Sequence, residues 1–160
     1  MPEPPISPHK ARNNKREIRT AEFWRFITAQ AMRKESERLQ SIQEGLSPTL
    51  FLAVRETFQL QDKQVAELLN VSVSMLHRRR REGKHLDSVV SERLDRMAAV
   101  SYLAMKVFEG EPATIGWLSR SNGALGGRAP IMLCGTDIEA KQVRRSTQLS
   151  KWLHLSSLFI

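Results

Sequence analysis

The sequence predicts an all-α fold. Three observations lead to that class. Apolar residues recur at helical spacing from about residue 21 onward. No stretch alternates apolar and polar residues as a half-buried strand would. The breaks between periodic segments carry helix stop and start signals, such as Gly45 followed by Ser47-Pro48.

The elements follow in order. Residues 1–20 are rich in Pro, Asn, Lys and Arg and poor in large apolar side chains, the composition of a disordered basic arm, either solvated or touching DNA. From Ala21 to about Glu44 the pattern is helical, with Phe23, Trp24, Phe26 and Ile27 as an apolar head, and Leu39 and Ile42 after a charged middle. Gly45 is a stop. Ser47 and Pro48 fit an N-cap and a first helical position, and Leu50, Phe51, Val54 and Phe58 recur behind them. Residues 62–69 form a short helix with Val65, Ala66 and Leu69 inward. Asn70-Val71-Ser72 is a tight turn, and a second short helix runs to about Glu82, where Gly83 ends it. Residues 87–109 are the longest helical signal, with Leu94, Met97, Ala98, Ser101, Met105 and Phe108 on one face. Glu111-Pro112 opens a short helix carrying Ile115, Trp117 and Leu118. A glycine-rich loop spans 119–130, and a last helix starts near Thr136, whose spacing to Glu139 is that of a capping box.

Two short helices joined by a three-residue turn make a helix-turn-helix at about 62–82. Ala66 is small where the two helices must approach, and Val71 and Leu76 wedge between them. With Val73 and Leu76 inward, Ser74, His77, Arg78 and Arg81 stand at i, i+3, i+4 and i+7 and share one stripe. Such a stripe suits the major groove, where Arg78 or Arg81 could bond guanine through two donors. Ser72 and Ser74 suit a phosphate or a base edge, while Arg79, Arg80 and Lys84 suit the phosphate backbone. The alternatives for the arginine run are a solvated face or a contact to an acidic protein patch.

Composition agrees with a polyanionic partner. The 160 residues carry 25 Lys and Arg against 17 Asp and Glu, a net charge of +8. The single cysteine, Cys134, permits no intrachain disulfide, fits a reducing cytoplasm, and sits between Leu133 and Gly135 as a buried small side chain would. No apolar run approaches the ~18 residues of a membrane span, and the first residues lack the apolar core of a secretory signal. Catalysis is not expected. "NGALGGR" lacks the Gly-Lys-Ser/Thr ending of a phosphate loop and follows no strand. His9, His77, His85 and His154 are scattered and make no metal-ligand spacing. No cofactor, metal or catalytic residue is assigned.

The stretch "VVSERLDRMAAVSYLAMKVFEGEPATIGWLSRSNGALGGRAPIMLCGTDIEAKQV" carries Ser91-Glu92-Arg93-Leu94, the pair Trp117-Leu118, Asn122 with Leu125-Gly126-Gly127 and Pro130, and Gln142-Val143. In these motifs, and in "SMLHRRRREGKHL" upstream, roughly residues 48–145 resemble the Xre/MbcA/ParS-type antitoxins of RES–Xre systems. The resemblance implies an Xre/Cro-like helix-turn-helix domain over residues 21–86 and a small helical toxin-binding domain over 87–160. It implies that Trp117, Leu118, Asn122, Leu125, Gly126, Gly127, Pro130, Gln142 and Val143 belong to the toxin-binding region. The partner would be a RES-domain toxin, an enzyme that destroys NAD, whose active site the antitoxin obstructs. A second partner would be operator DNA, bound by a homodimer within a larger complex in the cytoplasm, at the nucleoid when DNA-bound. The sequence departs from the family in Ser121, where proline is usual, in Asn70, where the turn usually has glycine, and in the ending "STQLSKWLHLSSLFI". Trp152, Leu153, Leu155, Leu158 and Phe159 make that ending apolar, which fits docking in the core, burial against a partner, or aggregation. The competing function is a stand-alone helix-turn-helix repressor with a dimerising C-terminal domain.

Overall fold

The computed structural model describes residues 1–2 and 5–157, with the backbone alone for 154–157. Among these the chain forms eight α-helices and no strand: α1 Pro8–Met32, α2 Glu35–Glu44, α3 Leu50–Phe58, α4 Asp62–Leu69, α5 Val73–Glu82, α6 Ser88–Phe108, α7 Glu111–Ser119 and α8 Asp137–Ser157. Two 3-10 turns, Gly123–Leu125 and Pro130–Leu133, join α7 to α8.

Besides α3, which starts at Leu50 behind Thr49 and not at Pro48 behind Ser47 because residues 48–49 form a turn, two boundaries differ from the sequence expectation. Residues 8–20 are helical, where composition predicts a disordered arm over 1–20. Pro8 occupies the first turn and the Ser7 Oγ accepts a hydrogen bond from the Lys10 amide at 3.3 Å, so the start is capped. No glycine or proline interrupts residues 9–32, and the packed segment around Phe23 supplies the nucleus from which adding helical turns is cheap. The second difference is a break between α1 and α2. Arg33 and Lys34 are extended, and the Lys34 amide donates to the Glu37 carboxylate at 3.0 Å to start α2 afresh. The sequence has no glycine or proline there to announce it.

One apolar cluster runs through both halves of the chain, from Phe23 and Ile27 through Phe51, Leu69 and Leu76 to Leu94, Met97, Leu118, Ile131 and Val143. The Phe23 ring meets Trp24 and Phe58 edge-on, with centroids 5.7 and 5.1 Å away. Helix α6 is the axis of the fold and packs on α1, α2, α4, α7 and α8. Cys134 is fully buried, and burial pushes its thiol up to about 12, so it stays protonated.

A polar brace holds α1 and α2 to this axis. The Asp95 carboxylate of α6 accepts from Gln30 Nε2 at 2.7 Å and from Arg38 Nε and Nη2 at 3.1 and 2.6 Å. These bonds raise the already high pKa of the Arg38 guanidinium, first through the hydrogen bond to Asp95. Asp95→Ala leaves the buried Gln30 amide without its acceptor, while the part-exposed Arg38 is rehydrated. The expected loss is about 2 kcal/mol, read as a lower urea midpoint at unchanged slope.

Candidate functional site

The α4–turn–α5 unit is built as its residues dictate. Val65, Ala66, Leu68 and Leu69 bury one face of α4. Asn70 ends it in the left-handed conformation, φ 54°, where asparagine strains less than most side chains. The Val71 amide reaches back to the Ala66 carbonyl at 3.0 Å, and the Ser72 Oγ accepts from the Met75 amide at 3.1 Å to start α5. Leu76 is the fully buried side chain of α5, at 1% exposure. Val71 and Val73 are half-buried against the core. Gly83 closes the helix at φ 63°.

With Leu76 the one buried side chain of α5, half of the helix's residues face solvent. Ser74, Arg78, Arg80, Arg81 and Lys84 are exposed. Arg79 is half-buried and its guanidinium donates to the His85 carbonyl at 3.4 Å. Lys84 pairs with Glu82 at 3.2 Å. Ser72 spends one lone pair of its hydroxyl on the helix cap and keeps its O–H to donate.

His77 does not join this stripe. Its Nε2 lies 2.8 Å from the Asp62 Oδ2, and its ring stands edge-on to Phe51 with centroids 5.3 Å apart. Arg55 Nη1 donates to the other Asp62 oxygen at 2.7 Å. His77 follows the buried Leu76, so it sits at the margin of the core, and these contacts brace α3, α4 and α5 together. The Arg55 hydrogen bond, then that of His77, holds the Asp62 carboxyl below its usual range. A carboxylate depressed in the folded state stabilises the fold above its unfolded pKa of about 3.9, and that contribution disappears as pH falls through the folded value. Between pH 6 and pH 3 the urea midpoint is therefore expected to fall further in the parent chain than in Asp62→Asn.

The second surface lies around the loop between α7 and α8. Asn122 organises this loop. Its Oδ1 accepts from the Ala124 amide at 3.0 Å, and its carbonyl accepts from the Leu125 and Gly127 amides at 3.0 and 2.9 Å. Gly126 and Gly127 take φ of 69° and 80°, the left-handed region, which explains the glycine pair. Arg128 ties the loop to α8 through Glu139 at 3.1 Å. The Thr136 Oγ1 accepts from the Glu139 amide at 3.2 Å and starts α8.

The nine residues that the sequence assigns to this region divide between core and surface. Leu118, Pro130 and Val143 are core. Trp117 is half-buried on Phe108, centroids 5.1 Å apart, and Asn122 shapes the loop. Gly126, Gly127 and Gln142 are at the surface. Leu125, Gly126 and Gln142 come together along one groove with Arg145, Ser146 and Leu149 of α8, three residues outside the sequence motifs. Their signal was the helical spacing from Gln142 itself, at i+3, i+4 and i+7. Leu149 in the groove, and Trp152 and Leu153 beyond it, are 64%, 69% and 72% exposed, so these three are not docked in the core. The side chains of Leu155, Leu158 and Phe159 lie outside the described residues.

The Ser91-Glu92-Arg93-Leu94 segment joins the two halves. The Ser91 Oγ accepts from the Leu46 amide at 2.9 Å. Arg93 Nη1 donates to the Gly135 carbonyl at 2.6 Å and to the Leu68 carbonyl of α4 at 3.3 Å. Leu94 is buried.

Residues 37–99 match the model of the antitoxin Xre-like helix-turn-helix domain, and residues 103–145 match that of the antitoxin Xre/MbcA/ParS C-terminal toxin-binding domain. The chain belongs to the Xre/MbcA/ParS-type antitoxins. No curated protein sequence matches it. In this antitoxin α4 and α5 fall inside the first match, and the loop and the start of α8 inside the second. Helix α6 runs across both. Helix α1 precedes the matched residues, and α8 continues past them. Among the described residues no helix is long and apolar enough to cross a membrane.

Proposed function

We propose that this antitoxin neutralises a RES-domain, NAD-degrading toxin by covering its active site, and represses its own operon by binding DNA through α5. The observation that carries the first part is the groove in which Leu125 and Gly126 of the loop face Gln142, Arg145, Ser146 and Leu149 of α8. It lies within and just beyond the toxin-binding match and continues into the exposed Leu149–Leu153 stretch, an apolar surface of the kind a partner covers. Trp117, Leu118, Asn122, Gly127, Pro130 and Val143 act by holding that surface in shape. The protein works in the cytoplasm, stoichiometrically and without chemistry of its own.

The second part rests on the exposed Ser74, Arg78 and Arg81 of α5, with Ser72, Arg79 and Lys84 toward the backbone and His77 in a bracing role. A homodimer, within a larger toxin–antitoxin complex, presents two such helices to half-sites about one DNA turn apart. Functionally, residues 21–86 serve DNA and 87–160 serve the toxin.

The test is a titration of the antitoxin into the toxin while NAD loss is followed. Inhibition is expected to saturate at a fixed ratio, and to be lost in a folded Leu125→Arg/Gln142→Arg variant. A variant that inhibits as well as the parent would remove the groove from the mechanism. No inhibition by the parent would leave a stand-alone repressor.

A further inference from the structure

Helix α1 begins 29 residues before the helix-turn-helix match, at Pro8 against 37, and its first turns touch little of the core. Those turns are strongly basic. At ~100° per residue, His9, Arg12, Lys15, Arg16 and Arg19 fall within an arc of about 120°, on one face of the helix. Glu17 is the acidic residue of this stretch and lies outside that arc. Among the described residues Arg19 is paired, with Glu22 at 2.9 Å, while Arg12 and Lys15 carry no ion pair.

The stripe is fixed at a definite place. His9, Arg12, Asn13 and Arg16 line a cleft whose other wall is Arg55, Glu56, Gln59 and Leu60, at the α3–α4 connection. Arg16 Nη2 donates to the Gln59 side-chain oxygen at 2.7 Å in the amide orientation that satisfies both groups. Glu56 is occupied by Arg55 at 3.2 Å, and Arg55 also holds Asp62, the first residue of α4. Asp62 in turn holds His77 of α5. The basic face of α1 thus shares a corner with the N-terminus of the first helix of the helix-turn-helix, and that helix is the one that crosses the DNA backbone when its partner enters the groove.

From this placement we propose that the N-terminal half of α1 is a second DNA contact, a sequence-independent clamp on the phosphate backbone beside the site that α5 reads. The proposal rests on the DNA-binding reading above. The stripe is ~15 Å long from His9 to Arg19, comparable with the ~12 Å width of the major groove, so it reaches across one strand's phosphates. The helix lacks the apolar face that lying on a membrane requires, since Ile18 is its exposed large apolar residue between Pro8 and Thr20.

The test uses the full chain and its Arg12→Gln/Lys15→Gln/Arg16→Gln variant, which keeps helix propensity. Binding to a duplex from upstream of its own gene, and to a scrambled duplex, is measured across salt concentrations. The variant is expected to weaken on both duplexes alike, and its slope of log K against log salt to be shallower by about 2–3. An unchanged slope in a variant whose parent binds DNA overturns the clamp and leaves α5 untouched. A parent that binds neither duplex overturns both. Loss of binding to anionic phospholipid vesicles, with DNA binding intact, assigns the stripe to a membrane surface and also overturns the clamp.

Discussion

Replacing Arg78 and Arg81 together with alanine is expected to weaken binding to operator DNA by about 100-fold or more, and to erase most of the preference over a scrambled duplex. Each arginine that makes a two-pronged bond to guanine contributes about 1–3 kcal/mol of discrimination, and removing two such arginines at once accounts for the fall. The fold should survive. Both side chains are exposed, and α5 is anchored by Leu76, Ser72 and Gly83, none of which changes. The cost to stability is limited to a favourable charge in the last helical turn at Arg81, about 0.3–1 kcal/mol. Fluorescence anisotropy with the two duplexes checks the result. Unchanged affinity, with an unchanged melting curve, would mean that α5 is not the recognition helix. The pattern is distinct from that of the α1 variant, which should lose affinity on both duplexes equally.

Gly45→Ala, between α2 and α3, is expected to be strongly destabilising. Gly45 holds φ at 90°, a conformation that side chains rarely adopt, and a Cβ there would overlap the Leu86 carbonyl oxygen. The two chain segments cannot move apart easily. The Leu86 amide donates to the Leu46 carbonyl at 2.9 Å, and the Leu46 amide donates to Ser91 Oγ at 2.9 Å. This joint leads directly into Asp87, whose carboxylate caps α6 at the Val90 amide, 2.9 Å away. Backbone strain and overpacking each cost about 1–3 kcal/mol, so a loss of about 3 kcal/mol is expected, lowering Tm by roughly 6–12 °C. Gly123→Ala is the control. Its φ is not in the left-handed region and a Cβ there meets nothing within 4 Å, so its melting temperature should hardly move.

The helix-turn-helix and the loop before α8 differ in how far the sequence reveals them. The helix-turn-helix was readable because each of its parts has a local cause. Asn70 tolerates the left-handed turn, Ser72 caps the second helix, Gly83 stops it, and the apolar spacing of Val65, Leu69 and Leu76 names the inner face. The bracing contacts of His77 are not legible in the sequence because its partners, Asp62 and Phe51, lie 15 and 26 residues away, and helical spacing alone cannot say which margin residue finds one. The break at Arg33 was invisible for a related reason. Asp95, more than 50 residues later, draws Gln30 and Arg38 to one carboxylate from either side of that break, and no glycine or proline marks the spot. The start of α1 was hidden by composition: a basic, proline-flanked stretch reads as disordered unless the packed helix behind it is taken into account. In the C-terminal half the motif residues fall on and beside the loop before α8, within the toxin-binding-domain match. Three of them, Leu118, Pro130 and Val143, are core, whereas Arg145, Ser146 and Leu149 form the accessible wall. Motif spacing locates a site without separating the residues that touch a partner from those that shape the surface.

Under the proposed function this antitoxin has a protein target whose enzyme activity it holds in check. The most direct measurement is a mild affinity purification of the tagged chain from its own host, with the co-purifying proteins identified by mass and each expressed alone. The expected result is a stoichiometric partner that depletes cellular NAD when the antitoxin is absent and stops doing so when it is restored. If DNA alone is retained, or if the partner leaves NAD untouched, the claim is contradicted and the protein is a repressor whose C-terminal groove serves another end.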